Sequence, residues 1–500
     1  MLVHQLIFQG PVQKMALRGR RQDVTYGQLQ AKVEKYRNYL YQQGVRAGDP
    51  VGLFAKNSPE FIYCYMAITS LGAVAVPINF QLVPREIAYI VQDTKMKHLI
   101  TMSHLELQAE LKNYQYDQEV IQLIIPEFET ELAYTEYPAV PVIAVDPEDN
   151  CVIIYTSGTT GHPKGAVLTH KNLISNVKAL LEVLPVTADD KVLCVLPMYH
   201  CFAWTCAVLA SLTKGASVRI MESFVLKESL AAIVEERLTV VYGVPPMYNL
   251  FLTYGPADGF RHVKIFVSGG ASLPESVAQQ FGKKFGREIV EGYGLSEASP
   301  VVALNPVVKV KYRSVGKPLP GVIVRIIGEN DNEVPQGIVG ELTVQGSNVM
   351  TGYYNLPSAT EQALRGGWLH TGDLAYRDHE GYLYIVDRLK DIIISSGENI
   401  YPREIEELLF TYPDINEAAV VGFPDRLRGQ AACAYIVAEE GQTIEIKAVK
   451  EFLYKKMASY KIPREFVQIA ALPKNATGKV QKTVLRERAA AEFGSLVQGE

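Results

Sequence analysis

The stretch CVIIYTSGTTGHPKGAV, residues 151–167, changes character abruptly after its first four residues. Cys151, Val152, Ile153 and Ile154 have the apolar, β-branched composition of a buried strand. A loop follows that contains Ser157, Gly158, Thr159 and Thr160 and runs on to Lys164. Such a loop at a strand end offers closely spaced backbone N–H groups and hydroxyls that can wrap phosphate oxygens, and Lys164 adds positive charge. It is not a Walker A loop, because Gly165 follows the lysine where that motif needs Ser or Thr. On composition alone, a solvated polar surface loop is an equal reading.

Around this segment, short apolar runs such as VGLFA, AVAVPI, HLITM, KVLCVLP and KIFVSGG alternate with helix-like runs such as QLQAKVEKYRNYLYQQG. The alternation predicts an α/β domain with mostly parallel sheets, whose ligands sit beyond the carboxyl ends of the strands. The texture shifts near Val310, and GVIVRIIGENDNEVPQGIVGELTVQG predicts a small antiparallel sheet or barrel. Beyond the run GYLYIVDRLKDIII the pattern is that of a smaller α+β unit. Its helix PREIEELLFTYP starts at Pro402, a residue suited to the first helical position. The expected division is a large domain over 1–387 and a small one over 388–500.

The 500 residues carry a net charge of −5, with 48% hydrophobic and 21% charged residues, which excludes extended disorder, collagen and a nucleic-acid packing protein. Residues 61–84 and 192–213 contain no charge and are long enough to resemble membrane spans. Pro77 and Asn79 make the first a buried helix turning into a buried strand, and Pro197 and His200 interrupt the second, leaving at most peripheral membrane contact. The N-terminus lacks the pattern of a signal peptide. The six cysteines form no CxxC pair or disulfide framework, so a reducing cytoplasm is expected and zinc is not. GLSEA, residues 294–298, approximates a hydrolase elbow, but Pro300 conflicts with the helix that such an elbow needs.

The string YTSGTTGHPKGAV resembles the signature phosphate loop of the adenylate-forming superfamily, which comprises acyl-CoA synthetases, firefly luciferases and peptide-synthetase adenylation domains. Further motifs follow in that family's order: SGGASLP at 268–274, EGYGLSEASP at 291–300, GWLHTGDLA at 367–375, DRLKDIIISSGENIYPREIEE at 387–407 and PKNATGKVQK at 473–482. The resemblance implies attack of a carboxylate on the ATP α-phosphate, giving an acyl-adenylate and pyrophosphate, and then transfer of the acyl group to a thiol. ATP, Mg²⁺ and CoA are the implied cofactors and co-substrates. The chemistry brings anions together, so the protein's task is positioning and charge neutralisation.

By the same resemblance, Ser157, Gly158, Thr159, Thr160 and Lys164 hold the departing phosphates. Tyr293 stacks on adenine, Ser296 contacts the α-phosphate and Glu297 ligates Mg²⁺. The family usually has Thr at the place of Ser296, but the hydroxyl is kept. Gly270 and Ala271 line the adenine and acyl sites. Asp373 accepts from both ribose hydroxyls, with Arg388 assisting. Lys479 reaches the α-phosphate and carboxylate during adenylation, Lys390 is the hinge, and Gly397 and Glu398 rotate in with the pantetheine chain. His200 corresponds to a gating histidine. Trp204 stands where some long-chain acyl-CoA synthetases close the fatty-acid tunnel, and Cys201, Phe202, Tyr242 and Pro245 supply wall.

The implied activity is ligation of a medium- or long-chain fatty acid to CoA. The alternatives are an aryl-acid CoA ligase and an adenylating module that loads a carrier protein. The partners are thus a small carboxylic acid, ATP and CoA, not nucleic acid, and a homodimer is left open. One tract stays ambiguous: residues 455–488 carry nine basic residues against Glu465 and Glu487, and read equally as a solvated face or as a docking surface for CoA phosphates.

Overall fold

The computed structural model describes residues 1–20, 22–156, 163–439, 441–474 and 480–494. Helix Tyr26–Gln42 shows how local chemistry sets its elements. Thr25 caps it by accepting the Gln28 N–H, the Gln28 side chain returns the bond, and Leu29, Val33, Tyr36 and Leu40 are buried along it. Residues 61–84 behave as their lack of charge requires. Helix Pro59–Ser70 is buried along nearly its whole length and leads into the fully buried strand Val74–Pro77. The second uncharged segment holds strand Lys191–Cys194, then a π-helix, Phe202–Leu209, that continues into α-helix Ala210–Thr213. No helix among the described residues is long and apolar enough to cross a membrane.

The expected α/β architecture is present, with parallel strands at the centre of two large sheets and antiparallel strands at both edges of the nine-stranded sheet and at one edge of the seven-stranded one. In the nine-stranded sheet, strands Lys191–Cys194, Val240–Gly243, Ile265–Ser268 and Ile289–Gly294 run parallel. The seven-stranded sheet is parallel through Pro50–Phe54, Val74–Pro77 and His98–Thr101, but Asn150–Thr156 pairs antiparallel with Lys164–Thr169. The glycine-rich loop therefore joins two neighbouring antiparallel strands. The predicted small antiparallel sheet consists of Val322–Ile327, Gly340–Gly346, Leu369–Arg377 and Leu383–Arg388.

After a single turn at Leu389–Asp391, a five-stranded sheet begins with hairpin Ile393–Ser395 and Glu398–Ile400. Its long strands separate two small cores by simple alternation. Ala418, Val420, Ala432 and Ala434 face one, while Ala419, Val421, Ala431 and Cys433 face the other. Helix Pro402–Leu409 starts at the proline, as expected. All six cysteines are free and buried.

The N-terminal 3-10 helix Val3–Phe8 is anchored by His170, whose Nδ1 accepts the Val3 N–H at 3.1 Å. The His4 and His170 rings meet edge to face at 6.0 Å. Burial pushes both imidazoles down to about 4. Unfolded histidines titrate near 6.5, so between about pH 6.5 and pH 4 the unfolded chain binds more protons. This contribution to stability is full above pH 6.5 and is lost as pH falls through the window. Melting midpoints should drop over that range, and more gently in His170→Asn, which keeps an acceptor at the Nδ1 position; an unchanged slope would remove the histidine pair as the cause.

Candidate active site

One end of the candidate site is built by a cross-strand pair. Asp373 and Arg388 face each other in antiparallel register, and Arg388 Nε lies 2.9 Å from Asp373 Oδ1. The other carboxyl oxygen accepts the Tyr293 hydroxyl at 2.5 Å, which links strand Ile289–Gly294 to the small sheet. Asp373 is 3% exposed, so its charge depends on these partners. Asp373 holds the Arg388 pKa up against burial, while burial and then Asp373 drive the Tyr293 phenol well above its ordinary range. Two residues absent from the sequence reading position this aspartate. Glu341 accepts the Gly372 N–H at 3.0 Å and pairs with His370 at 3.0 Å, and the Thr371 hydroxyl accepts the Asp373 N–H at 3.1 Å. Gly372 has φ of +67°, which favours glycine there.

The second group lies around Lys164. Lys164 opens its strand and sits 5.2 Å from the centre of the Tyr353 ring. Strand Gly352–Tyr353 pairs with Ala166 and Val167, and the Tyr353 hydroxyl donates to Glu297 Oε1 at 2.9 Å. Tyr353 thus ties the strand after the phosphate loop to the half-buried Glu297. Read from sequence, YY at 353–354 is merely core-like, and only the pairing reveals its reach. Glu297 keeps one carboxyl oxygen clear of that bond. Among the described residues no group of three His, Cys, Asp or Glu could hold a metal, so a cation at Glu297 would take most ligands from nucleotide oxygens and water, as Mg²⁺ does with nucleotides. Ser157, Gly158, Thr159, Thr160 and Lys479 lie outside the described residues.

A third group begins where Cys201 Sγ meets Ser296 Oγ at 3.3 Å. Burial pushes the Cys201 thiol up to about 12, so it stays protonated. His200 is half-buried, and its Nδ1 accepts the Phe202 N–H at 3.3 Å. The Phe202 ring lies edge-on to Tyr242 at 6.0 Å and closes over Gly269, where a Cβ would come within 3.1 Å of it. Pro245 is buried at the first position of helix Pro245–Tyr254. Trp204 packs against helix Pro59–Ser70, its ring centre 4.1 Å from that of Tyr65 and 5.7 Å from that of Phe61. Gly270 has φ of +79°, and it and Ala271 are exposed.

The elbow reading is excluded directly, since Ser296–Ala298 is one 3-10 turn followed by strand Val301–Leu304. At the other end of the chain, Ser396 and Gly397 both have positive φ, as a tight two-residue hairpin requires, and they are exposed together with Glu398. Lys390 is exposed in the turn that follows Arg388.

A model described as AMP-binding enzyme matches residues 7–354, and its C-terminal domain model matches residues 404–479. The chain belongs to the adenylate-forming AMP-binding enzymes. It is 37% identical to a feruloyl-CoA synthase of an Amycolatopsis species, over 93% of this chain and 94% of that one. It is 35% identical to the long-chain-fatty-acid–CoA ligase FadD13 of Mycobacterium tuberculosis, over 94% of this chain and 93% of that protein. Among solved structures, ATP-bound MatB from Rhodopseudomonas palustris superposes with a TM-score of 0.91 at 30% identity, covering 98% of this chain and 99% of that one. At the level these relatives share, the protein is an ATP-dependent acid–CoA ligase.

For this ligase the basic tract at 455–488 reads differently in three dimensions. Lys461 pairs with Glu404, Lys474 with Glu417, Lys482 with Glu406, Arg486 with Asp391 and Arg488 with Glu492, while Arg464 meets Asp425. Most of its charge is neutralised by acids elsewhere in the C-terminal region, so the tract as a whole is no free cationic surface. Lys482 is held charged because Glu406 and Asp387 outweigh the opposing effect of its burial.

The Asp373–Arg388 pair can be measured as a coupling. A double-mutant cycle on Asp373→Ala and Arg388→Ala should return about 1 kcal/mol in denaturant unfolding, modest because the guanidinium is partly exposed. A coupling indistinguishable from zero would reduce the pair to mere proximity.

Proposed function

We propose that the protein activates an apolar carboxylic acid, first a medium- or long-chain fatty acid, and passes it to CoA through an acyl-adenylate. The observation that carries this is the wall from Cys201 to Leu209 with Tyr242, which is buried almost throughout and contains no charged side chain. Such a wall offers an acyl group area to bury and no ionic partner. An aryl acid is the second reading. It is supported by the similarity to a feruloyl-CoA synthase and by the lodging of Trp204 against Tyr65, which favours a short, flat occupant.

In this reading Asp373 takes the ribose hydroxyls, with its charge kept by Tyr293 and Arg388. Lys164 and the loop 157–162 cradle the pyrophosphate, Ser296 orients the α-phosphate, and Mg²⁺ at Glu297 neutralises phosphate charge when bound. The C-terminal region from residue 388 is the moving part, turning near Lys390 to exchange Lys479 for the Gly397 hairpin. For CoA as acceptor the support is a groove of about 700 Å³ below this hairpin, lined by Ser395, Arg428, Lys450, Tyr454, Tyr460 and Arg464. Its cations and tyrosines suit a phosphorylated nucleotide.

CoA-dependent AMP release across aliphatic acids of increasing length, aryl acids and amino acids should peak on an aliphatic chain, and a clear optimum on a cinnamate would transfer the assignment to aryl acids. A carrier protein as second acceptor tests the thiol. Lys479→Ala should lose acid-dependent ATP–pyrophosphate exchange by a factor of roughly 100 or more, as expected for a lost transition-state charge contact. It should still convert supplied acyl-adenylate and CoA to thioester, and equal loss of both steps in a folded variant would end the rotating-domain reading.

A further inference from the structure

Glu291 is buried at the start of EGYGLSE, two residues before Tyr293, and the ligation chemistry described above does not use it. It pairs in parallel register with Ser268, so the two side chains share one face of the sheet. Glu291 Oε1 accepts the Leu273 N–H at 3.0 Å. The loop between Ser268 and Leu273 is Gly-Gly-Ala-Ser, with residues 270–272 exposed. Two glycines give it little stiffness of its own. Its shape is imposed at its ends: Gly269 donates to the Gly243 carbonyl at 3.3 Å and packs under Phe202, and Leu273 is held by Glu291.

Beyond Glu291 lies helix Pro402–Leu409 of the C-terminal region. The charged groups acting on the carboxyl from it are Arg403 and Glu407. Arg403 Nε also donates to Glu407 at 3.1 Å, its guanidinium reaches the Ile385 carbonyl, and Glu407 pairs with Arg313 at 2.8 Å. Burial raises Glu291 to about 7, and the Arg403 charge and the Leu273 N–H act against that rise.

We propose that Glu291 is a positioning residue for the nucleotide: it clamps the 269–273 loop in the shape that receives the purine. The inference rests on the reading of this loop as the adenine wall. An ionised carboxylate forms the stronger clamp, because a charge-assisted hydrogen bond has about twice the strength of a neutral one. A neutral acid or an amide holds the same N–H more loosely. The clamp therefore tightens as pH rises through neutrality.

AMP binding measured by calorimetry needs neither the acid nor CoA, so it stays interpretable if either assignment above is wrong. The ratio of wild-type to Glu291→Gln affinity should grow from near one at pH 6 to roughly tenfold at pH 8, and comparing the two proteins cancels titration of AMP itself. Glu291→Ala should bind roughly tenfold more weakly than Glu291→Gln at both pH values. Arg403→Gln, which leaves the clamp in place, should move the transition to higher pH. A wild-type to Gln ratio that stays flat overturns the proposal, even if the Ala variant fails to fold. An unshifted transition in Arg403→Gln overturns the assignment of that transition to Glu291. Absence of AMP binding in the wild type itself would overturn the ligase reading and this inference with it.

Discussion

The carboxylate of Asp373 bonds directly to two parts of the molecule and lies one turn from a third. Tyr293 brings the end of a parallel strand from the large sheet, Arg388 brings the last residue of the small antiparallel sheet, and the next turn leads to the C-terminal domain. A carboxylate at 3% exposure is tolerable only while both partners stay in place. The need to keep both partners in place constrains the geometry around Asp373.

Most of the architecture was legible because it rests on burial. The uncharged segments, the Pro402 start and the shift to short strands after Val310 each follow from composition and local chemistry, and each formed as expected. What remained hidden depends on residues far apart in sequence. Tyr353 looks like core until strand Gly352–Tyr353 pairs beside Lys164 and delivers its hydroxyl to Glu297. Glu341 and His370 act on Gly372 only through the register of two antiparallel strands. Family motifs located Asp373, Glu297 and Ser296, but nothing local announces that Cys201 touches Ser296.

The basic tract shows the opposite limit. A count of charges along the chain suggested a surface, whereas the fold places carboxylates from the turn at 389–391, from helix Pro402–Leu409 and from strand Ile415–Asp425 against it. What is left for a phosphorylated ligand is a local groove, shaped by Arg428 and Lys450 from outside the tract as much as by Arg464 within it. Linear charge density is a poor guide wherever a small domain satisfies its own ions.

The π-helix Phe202–Leu209 sets a phase relation along the acyl wall. Each residue of an α-helix advances by about 100°, and a π-turn accommodates an extra residue within nearly the same turn. The end facing Ser296 and the end packed into the core are therefore rotated relative to one another by an amount that an ordinary helix would not give. Shortening this segment by one residue would turn the Cys201 end away from Ser296 while every apolar side chain stayed apolar. Here the length of a segment, rather than any single side chain in it, carries chemical information.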